Sequence, residues 1–352
     1  MLTLVKLGWN NRTDTERIDR ILAKALVDTK YKVIKGASGF SYAMESGELT
    51  DRMAFVVAVP ENGFCPESQE LMGFLMDHPN CLDGVVGGVI IDGHSELFTK
   101  SIARKLIFSA NGAGCTFPGR PLVEATGSLY NFNVISKVRG ISNLEAYESG
   151  VADLIRKVME FSPVAVTDPD ILVLHASSRS TSNSLLLWEM INKTIGDRAR
   201  VTEISLRNGT VVDCRGCSYE TCSYYGEKGE CIYGGVMVDK VYPAIVRCNV
   251  LVLVCPNYND AVSANITAFF NRLTALFRTN DFSAKRVYAL VVSGYSGCDI
   301  VAEQIIGAMN CNKNFILPPR FALLETANDP ESILQCENIG KRAEGMAERI
   351  LK

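Results

Sequence analysis

The sequence predicts an α/β protein built from two doubly wound sheets, each of five parallel strands. Three observations lead there. The chain has 352 residues, beyond the usual length of one domain. Short apolar, β-branched runs alternate with helix-period segments from end to end, the pattern of parallel sheets covered by helices. Between two halves of the same rhythm lies Ser162-Pro-Val-Ala-Val-Thr-Asp-Pro169, whose prolines interrupt helix and mark a linker. The expected domains are therefore 1–161 and 162–352.

In the first half the strand candidates are Leu2–Leu7, Tyr31–Ile34, Met53–Val59, Val85–Ile91 and Pro121–Ala125. Helices separate them, for example Thr15–Val27 and Phe98–Ser109, and a helical connector from about Asn131 to Phe161 leads to the linker. In the second half Ile171–Leu174, Val201–Leu206, Val250–Val254 and Val287–Val292 read as strands, with a fifth inside Phe315–Leu324. Helices are expected at Ser184–Ile195, Ala264–Arg278, Asp299–Met309 and Asp329–Leu351. The halves read as two copies of one architecture.

Composition narrows the function classes. Apolar residues make up 47% of the chain and the net charge is −3, so there are sizeable cores and no basic surface for nucleic acid. The longest strongly apolar run, Val250–Cys255, has the length of a strand and is far short of a membrane span. Met1–Lys6 lacks the features of a secretory signal, and the expected location is the cytoplasm. Twelve cysteines in a reducing compartment point away from structural disulfides; where clustered, they point to metal, redox or reactive chemistry. Eight are scattered and read as small buried hydrophobes.

The first strand of the second half runs into His175-Ala-Ser-Ser-Arg-Ser-Thr-Ser-Asn-Ser184, followed by an apolar helix. Hydroxyl and amide side chains crowd a loop that ends at a helix N-terminus. Unpaired N–H groups and the positive end of the helix dipole suit a phosphate there, and Arg179 adds a charged donor. The competing reading is an ordinary capped turn, since Ser and Asn are good caps. The glycine spacing of dinucleotide or Walker loops is missing. His175 adjoins the loop, as a phosphate contact or as strand-end packing.

This loop resembles the Gly-Ser-x-Arg-x-x-Ser/Gly-Asn-Thr loop of the NADPH-dependent FMN reductase family, within the flavodoxin-like superfamily. Ser177, Arg179, Ser182, Asn183 and Ser184 match, while Ala176 stands where the family has Gly. A second loop, Cys255-Pro-Asn-Tyr-Asn-Asp260, with the adjoining helix, is similar to the family's Pro-x-Tyr segment. Pro256, Tyr258, Ala264 and Arg272 match, but Thr267 replaces the usual Lys and Asn271 the usual Asp. The resemblance implies FMN, its phosphate on the first loop and its ring along Pro256, Asn257, Tyr258 and Asn259. A third loop, Ser293-Gly-Tyr-Ser-Gly-Cys298, then places Ser293 and Gly294 at the flavin's other edge. Three loops at strand C-terminal ends converge where ligands bind in doubly wound sheets.

Cys214, Cys217, Cys222 and Cys231 stand with two, four and eight residues between them. Four thiolates can hold a 4Fe-4S cubane or zinc. The set resembles the compact motif of the iron-sulfur flavoproteins, a branch of the same family, whose spacing is tighter. Cluster, zinc and a loop of free thiols all remain open.

The first half lacks these signals. Thr13, Asp14, Thr15 and Glu16 faintly resemble a flavodoxin phosphate loop, and Arg12 could meet an anion, but a capping turn is the economical reading. No Pro-x-Tyr follows Val57-Ala-Val-Pro60. Asp92, His94 and Glu96 read as a solvated turn. We expect a degenerate flavodoxin-like domain serving packing, dimerisation or substrate shaping. By resemblance the whole is a homo-oligomeric FMN-dependent oxidoreductase, carrying electrons from NAD(P)H, with a cluster as a further relay, to a small quinone, azo or nitro acceptor. The alternative is a non-enzymatic flavin/iron-sulfur carrier serving a protein partner, and a flavin-free metal-binding module is a third reading.

Overall fold

The computed structural model describes all residues except 11–12, 164, 178–180 and 208–210. The chain forms two compact units, Met1–Ser162 with Pro318–Arg320, and Pro163–Leu317 with Phe321–Lys352.

The first unit holds β1 (Leu2–Leu7), α1 (Glu16–Ala25), β2 (Tyr31–Lys35), α2 (Gly36–Glu45), β3 (Arg52–Val59), α3 (Pro66–Asp77), β4 (Val86–Gly93), α4 (Thr99–Gly112), β5 (Leu122–Ala125), α5 (Asn133–Arg139) and α6 (Asn143–Glu160). Its five strands are all parallel and ordered β2-β1-β3-β4-β5. The second holds β6 (Asp170–His175), α7 (Asn183–Ile195), β7 (Arg200–Ser205), α8 (Tyr219–Gly226), α9 (Tyr242–Arg247), β8 (Val250–Pro256), α10 (Ala264–Phe277), β9 (Arg286–Ser293), α11 (Cys298–Ile305), β10 (Ala322–Thr326) and α12 (Ile339–Leu351). Its parallel sheet is ordered β7-β6-β8-β9-β10, the same winding.

Burial explains why the strands were easy to read. The sheet strands β4, β6 and β9 are buried at every position, which calls for the continuous Val/Ile/Leu runs of a sheet covered on both faces. The edge strands β2 and β7 are mostly part-exposed and carry charged or polar residues, which discourage pairing with another chain. In the second unit Leu187, Trp188 and Ile191 of α7 and Met346, Ala347 and Ile350 of α12 pack on Ile171, Val173, Val250 and Val252. Each buried Leu, Ile, Val or Met side chain among these contributes about 1.5–3 kcal/mol.

Three expectations need correction. The connector is broken at Gly140, which takes φ 66°, and the helix beyond the break is core. Ser142 and Glu145 form a reciprocal capping box, and Ala146, Tyr147, Val151, Leu154, Ile155 and Val158 of α6 are buried against the sheet. The fifth strand of the second unit begins at Ala322, because Pro318 and Pro319 have no N–H to offer a ladder. Phe315 and Leu317 are buried all the same, and Ile316 makes only a bridge to Arg286. The last helix starts at Ile339, ten positions later than Asp329. Pro330 disfavours helix at the residue before it, and Asn338 ahead of the helix is left-handed at φ 54°.

Candidate functional site

All strands of a parallel sheet present their C-terminal ends at one edge, and in this winding the chain leaves β6 and β8 toward opposite faces, opening a crevice between them. In the second unit that crevice is a cavity of about 430 Å³, lined by residues 182–184, 256–260, 292–296 and 327–328. The loops after β6, β8, β9 and β10 supply the lining.

Ser182 stands at the N-cap of α7 with extended backbone, yet among the described residues its side chain makes no cap hydrogen bond. Its hydroxyl instead joins a triangle with Ser177 at 3.3 Å and Ser184 at 3.0 Å, while Ser177 and Ser184 are 3.2 Å apart. Among the described residues the leading N–H groups of α7 are thus left without a cap from the Ser182 side chain at the rim of the cavity, as an anion requires. Arg179 falls outside the described residues. Asn183 lines the cavity, but its amide is engaged elsewhere. It donates to the carbonyls of Ala327 at 3.0 Å and Asp329 at 2.8 Å and accepts from the Ile333 N–H at 3.3 Å. It is a strut between α7 and the loop after β10. His175 is buried at the strand end with Nε2 3.2 Å from Glu203, which favours the packing reading.

The second loop turns on Asn259 and Asp260, both left-handed at φ 53° and 56°, with Tyr258 and Ala261 bonded to each other across them. Two consecutive positive φ values suit Asn and Asp, which tolerate this region better than most residues. Asn257 clamps this loop to the next: its Nδ2 donates to Ser296 O at 2.8 Å, Ser293 Oγ at 3.2 Å and Asp260 Oδ1 at 3.3 Å. The close approach depends on Gly297, at φ 83°, where a Cβ would stand 2.2 Å from Asp260 Oδ1. Tyr258 and Tyr295 remain 55% and 81% exposed, flanking the mouth.

Of the residues predicted to hold a cofactor, Ser182, Asn183, Ser184, Pro256, Asn257, Tyr258, Asn259, Ser293 and Gly294 line this one cavity, and Ser177 supports it through Ser182 and Ser184. Asp260, Val292, Tyr295, Ser296, Ala327 and Asn328 complete the lining and were missed as site residues. Extending the strand-end rule to β10 would have found the last two. Arg272 matched the family pattern but serves another place. Buried on α10, it donates to the carbonyls of Gly234 at 2.7 Å and Val212 at 3.3 Å, and Asn271 reaches Asp213 at 3.0 Å. Both brace the segment between β7 and β8.

That segment carries the four clustered cysteines, and they do not assemble as a ligand set. Among the described residues no group of three or more His, Cys, Asp or Glu side chains is placed to hold a metal ion. Cys214 is exposed and Cys217, Cys222 and Cys231 are part-exposed; Cys214 and Cys222 neighbour the Cys217 thiol, and Cys222 and Cys231 neighbour Tyr242, whose hydroxyl donates to the Arg272 carbonyl at 2.6 Å. Of the eight scattered cysteines, Cys65, Cys115, Cys248 and Cys255 are buried as expected and the other four are part-exposed. Burial alone pushes Cys255 up to about 12, far from thiolate chemistry.

In the first unit the corresponding strand ends are bonded together. Asp92 at the end of β4, predicted as part of a solvated turn, is 2% exposed. It accepts from Arg17 Nη2 at 2.6 Å and Nε at 3.0 Å, and from the Tyr147 hydroxyl at 3.0 Å. Arg17 also reaches the carbonyls of Gly93 and Gly127. Asp14 Oδ1 accepts from the Glu16 N–H at 2.9 Å, in keeping with the capping reading. Arg12 is outside the described residues. A separate cavity of about 450 Å³ opens beside β5, lined by Glu96, Lys100, Arg104 and Glu124 among others. Among the described residues no helix is long and apolar enough to cross a membrane.

Residues 169–329, from just before β6 to the loop after β10, match the family model of NADPH-dependent FMN reductase. A search of curated proteins found no match. Among solved structures the chain is similar to an FMN-dependent NADH-azoreductase from Bacillus anthracis in complex with FMN, at 13% identity over 53% of this chain and 100% of that one, TM-score 0.36. It is also similar to an NAD(P)H:quinone oxidoreductase from Methanothermobacter marburgensis, at 15% identity over 53% and 100% of the two chains, TM-score 0.40. A third, RosB, aligns at 15% identity over 52% and 77%, TM-score 0.42.

Proposed function

With the reductase match of residues 169–329 as premise, we propose that the second unit holds FMN in its strand-end cavity and acts as an NAD(P)H-dependent FMN oxidoreductase toward a small planar acceptor. The observation that carries this is the convergence of four loops on one cavity whose rim is the N-terminus of α7, uncapped by the Ser182 side chain among the described residues.

The residues fit the group. Ser177, Ser182 and Ser184 with the leading N–H groups of α7 offer donors for a phosphate, and Arg179 in the same loop is the cationic donor that the family pattern assigns. Pro256, Val292 and Ala327 give apolar walls for a ring system, and Ser293 and the loop amides give it polar contacts. The flavin supplies the electron chemistry, and the protein supplies position and electrostatics. Asn257 keeps the second and third loops at fixed separation, so the slot is set before anything enters. Tyr258 and Tyr295 stand at its mouth, where an aromatic acceptor would stack and displace water.

A second reading, a flavin carrier with a protein partner, draws on the same exposed tyrosines as a docking surface. Assembly with a second copy rests on the resemblance.

The test is FMN titration of the purified protein followed by anaerobic mixing with NADH or NADPH. Saturable one-to-one FMN binding, then rapid bleaching by the nucleotide and turnover with a quinone, is the expected result. Absence of FMN binding would sink the proposal, and binding without reduction by either nucleotide would favour the carrier.

A further inference from the structure

We propose that the cavity beside β5 in the first unit binds a small aromatic carboxylate, with Arg104 as the residue that recognises its charge. The site lies outside the reductase match of residues 169–329.

The cavity holds about 450 Å³, within the range of about 300–1,000 Å³ of small-molecule sites. The loop after β4, the first turns of α4 and the end of β5 line it, at the carboxyl edge of the sheet. Most of its polar wall is satisfied from within. Glu124 accepts from the Thr99 hydroxyl at 2.5 Å and lies 3.6 Å from Lys100 Nζ. Glu96 accepts from the Ser128 N–H at 2.8 Å. The Asn131 amide donates to Glu124 O at 2.6 Å and accepts from the Thr126 hydroxyl at 3.2 Å. Arg104 is the exception. Among the described residues it makes no ion pair or hydrogen bond, and its Nε is buried without a partner. Buried polar groups in folded proteins are rarely left so, and each such group calls for a reason. Lys100 and Arg104 also stand four positions apart on one face of α4, a spacing at which like charges repel. An anion on Arg104 satisfies its donors and offsets that repulsion.

The rest of the lining sets the ligand's class. Leu97, Phe98 and Tyr130 are exposed although apolar, and they line the same cavity, offering a planar ring a surface to cover. Phe98 is held there by a costly backbone. At φ 73° and ψ −32° it centres a three-residue turn in which the Thr99 N–H donates to Leu97 O at 3.0 Å. Such a turn is rare and strained, above all for a bulky residue. Gly63 makes room for the ring, since a Cβ there would stand 2.4 Å from Phe98 Cγ. With Glu96 and Glu124 already in the wall, a phosphate dianion would meet two carboxylates, so a single negative charge suits the site. The guanidinium fork matches the two oxygens of one carboxylate.

Benzoate is the probe, with benzamide as its neutral counterpart and inorganic phosphate as the dianion. Ligand-observed NMR on the purified full-length protein should show saturable benzoate binding that added FMN leaves unchanged. Benzamide should bind roughly tenfold more weakly or worse, the loss expected for a charge-assisted contact. Arg104→Gln should weaken benzoate by a similar factor. Arg104→Lys, which keeps the charge but loses the fork, should weaken it less, both with the parent's circular dichroism. Absence of benzoate binding, equal binding of benzamide, tighter binding of phosphate, displacement of benzoate by FMN, or parental affinity in Arg104→Gln would each overturn the proposal. The comparison of the three probes on the parent protein stands even where a variant misfolds. None of these readouts involves flavin reduction, so this inference and the flavin proposal fail separately.

Discussion

Both units wind five parallel strands in one order, so both produce a crevice at the same edge of the sheet, and they treat it oppositely. In the first unit the crevice is bridged by a buried ion pair: Arg17 spans from α1 to Asp92 on β4, and Tyr147 of α6 donates to the same carboxylate. In the second unit the matching strand ends hold hydroxyls and a helix terminus, and the space between the loops stays open. Backbone topology creates the place for a ligand, and a few side chains decide whether it is filled from within.

The comparison can be broken most sharply at Arg17. Arg17→Ala leaves Asp92 buried without its cation, a change that costs about 3–5 kcal/mol for fully buried pairs. Because Arg17 is itself 27% exposed, about 3 kcal/mol is the expected loss, read by urea unfolding of the first unit. FMN affinity should not change; a matching loss of FMN would show that the first unit's crevice serves the site.

Gly297→Ala tests the second unit. A left-handed φ costs a non-glycine residue roughly 1–2 kcal/mol, and the new Cβ would crowd Asp260. The second and third loops should separate and FMN binding weaken about tenfold or more, since about 1.4 kcal/mol is a factor of ten. Unaltered affinity in a titration would mean the loop clamp is not part of the site. Ser184→Ala removes one corner of the hydroxyl triangle at about 1 kcal/mol and should raise the FMN dissociation constant roughly fivefold. A Ser184→Ala variant that binds riboflavin and FMN with the parent's preference would place the phosphate elsewhere.

The smallest effect is in acid. Partial burial pushes the Asp19 carboxyl up, but hydrogen bonds from Lys6, Thr15 and Trp9 outweigh it and hold it below its ordinary value. Its contribution is present above that value and fades as pH falls through the depressed one. Burial raises Glu325 in the second unit despite Arg342, so the folded form takes up a proton more readily than the unfolded chain. That unit gains stability as pH drops through the raised pKa toward the ordinary one. Acidification into the carboxylate range should therefore loosen the first unit ahead of the second. Hydrogen exchange at stepped pH checks the order, and simultaneous opening would show that other groups dominate.

Much of this was legible along the chain. Leu2–Leu7 and Met53–Val59 read as strands because burial on both faces leaves an unbroken apolar run in the sequence itself. The three loops were visible because their hydroxyls, amides and prolines sit in short stretches right after those runs. By itself, then, the sequence determined the sheet rhythm and the strand-end loops. Tertiary structure alone decided that Asn183 ties to a carbonyl 144 positions away, that Arg272 braces the cysteine segment and that Asp92 is buried under Arg17. It also decided that α6 is core. Each of these depends on which distant partner a polar or apolar group meets, and no local period or spacing carries that information.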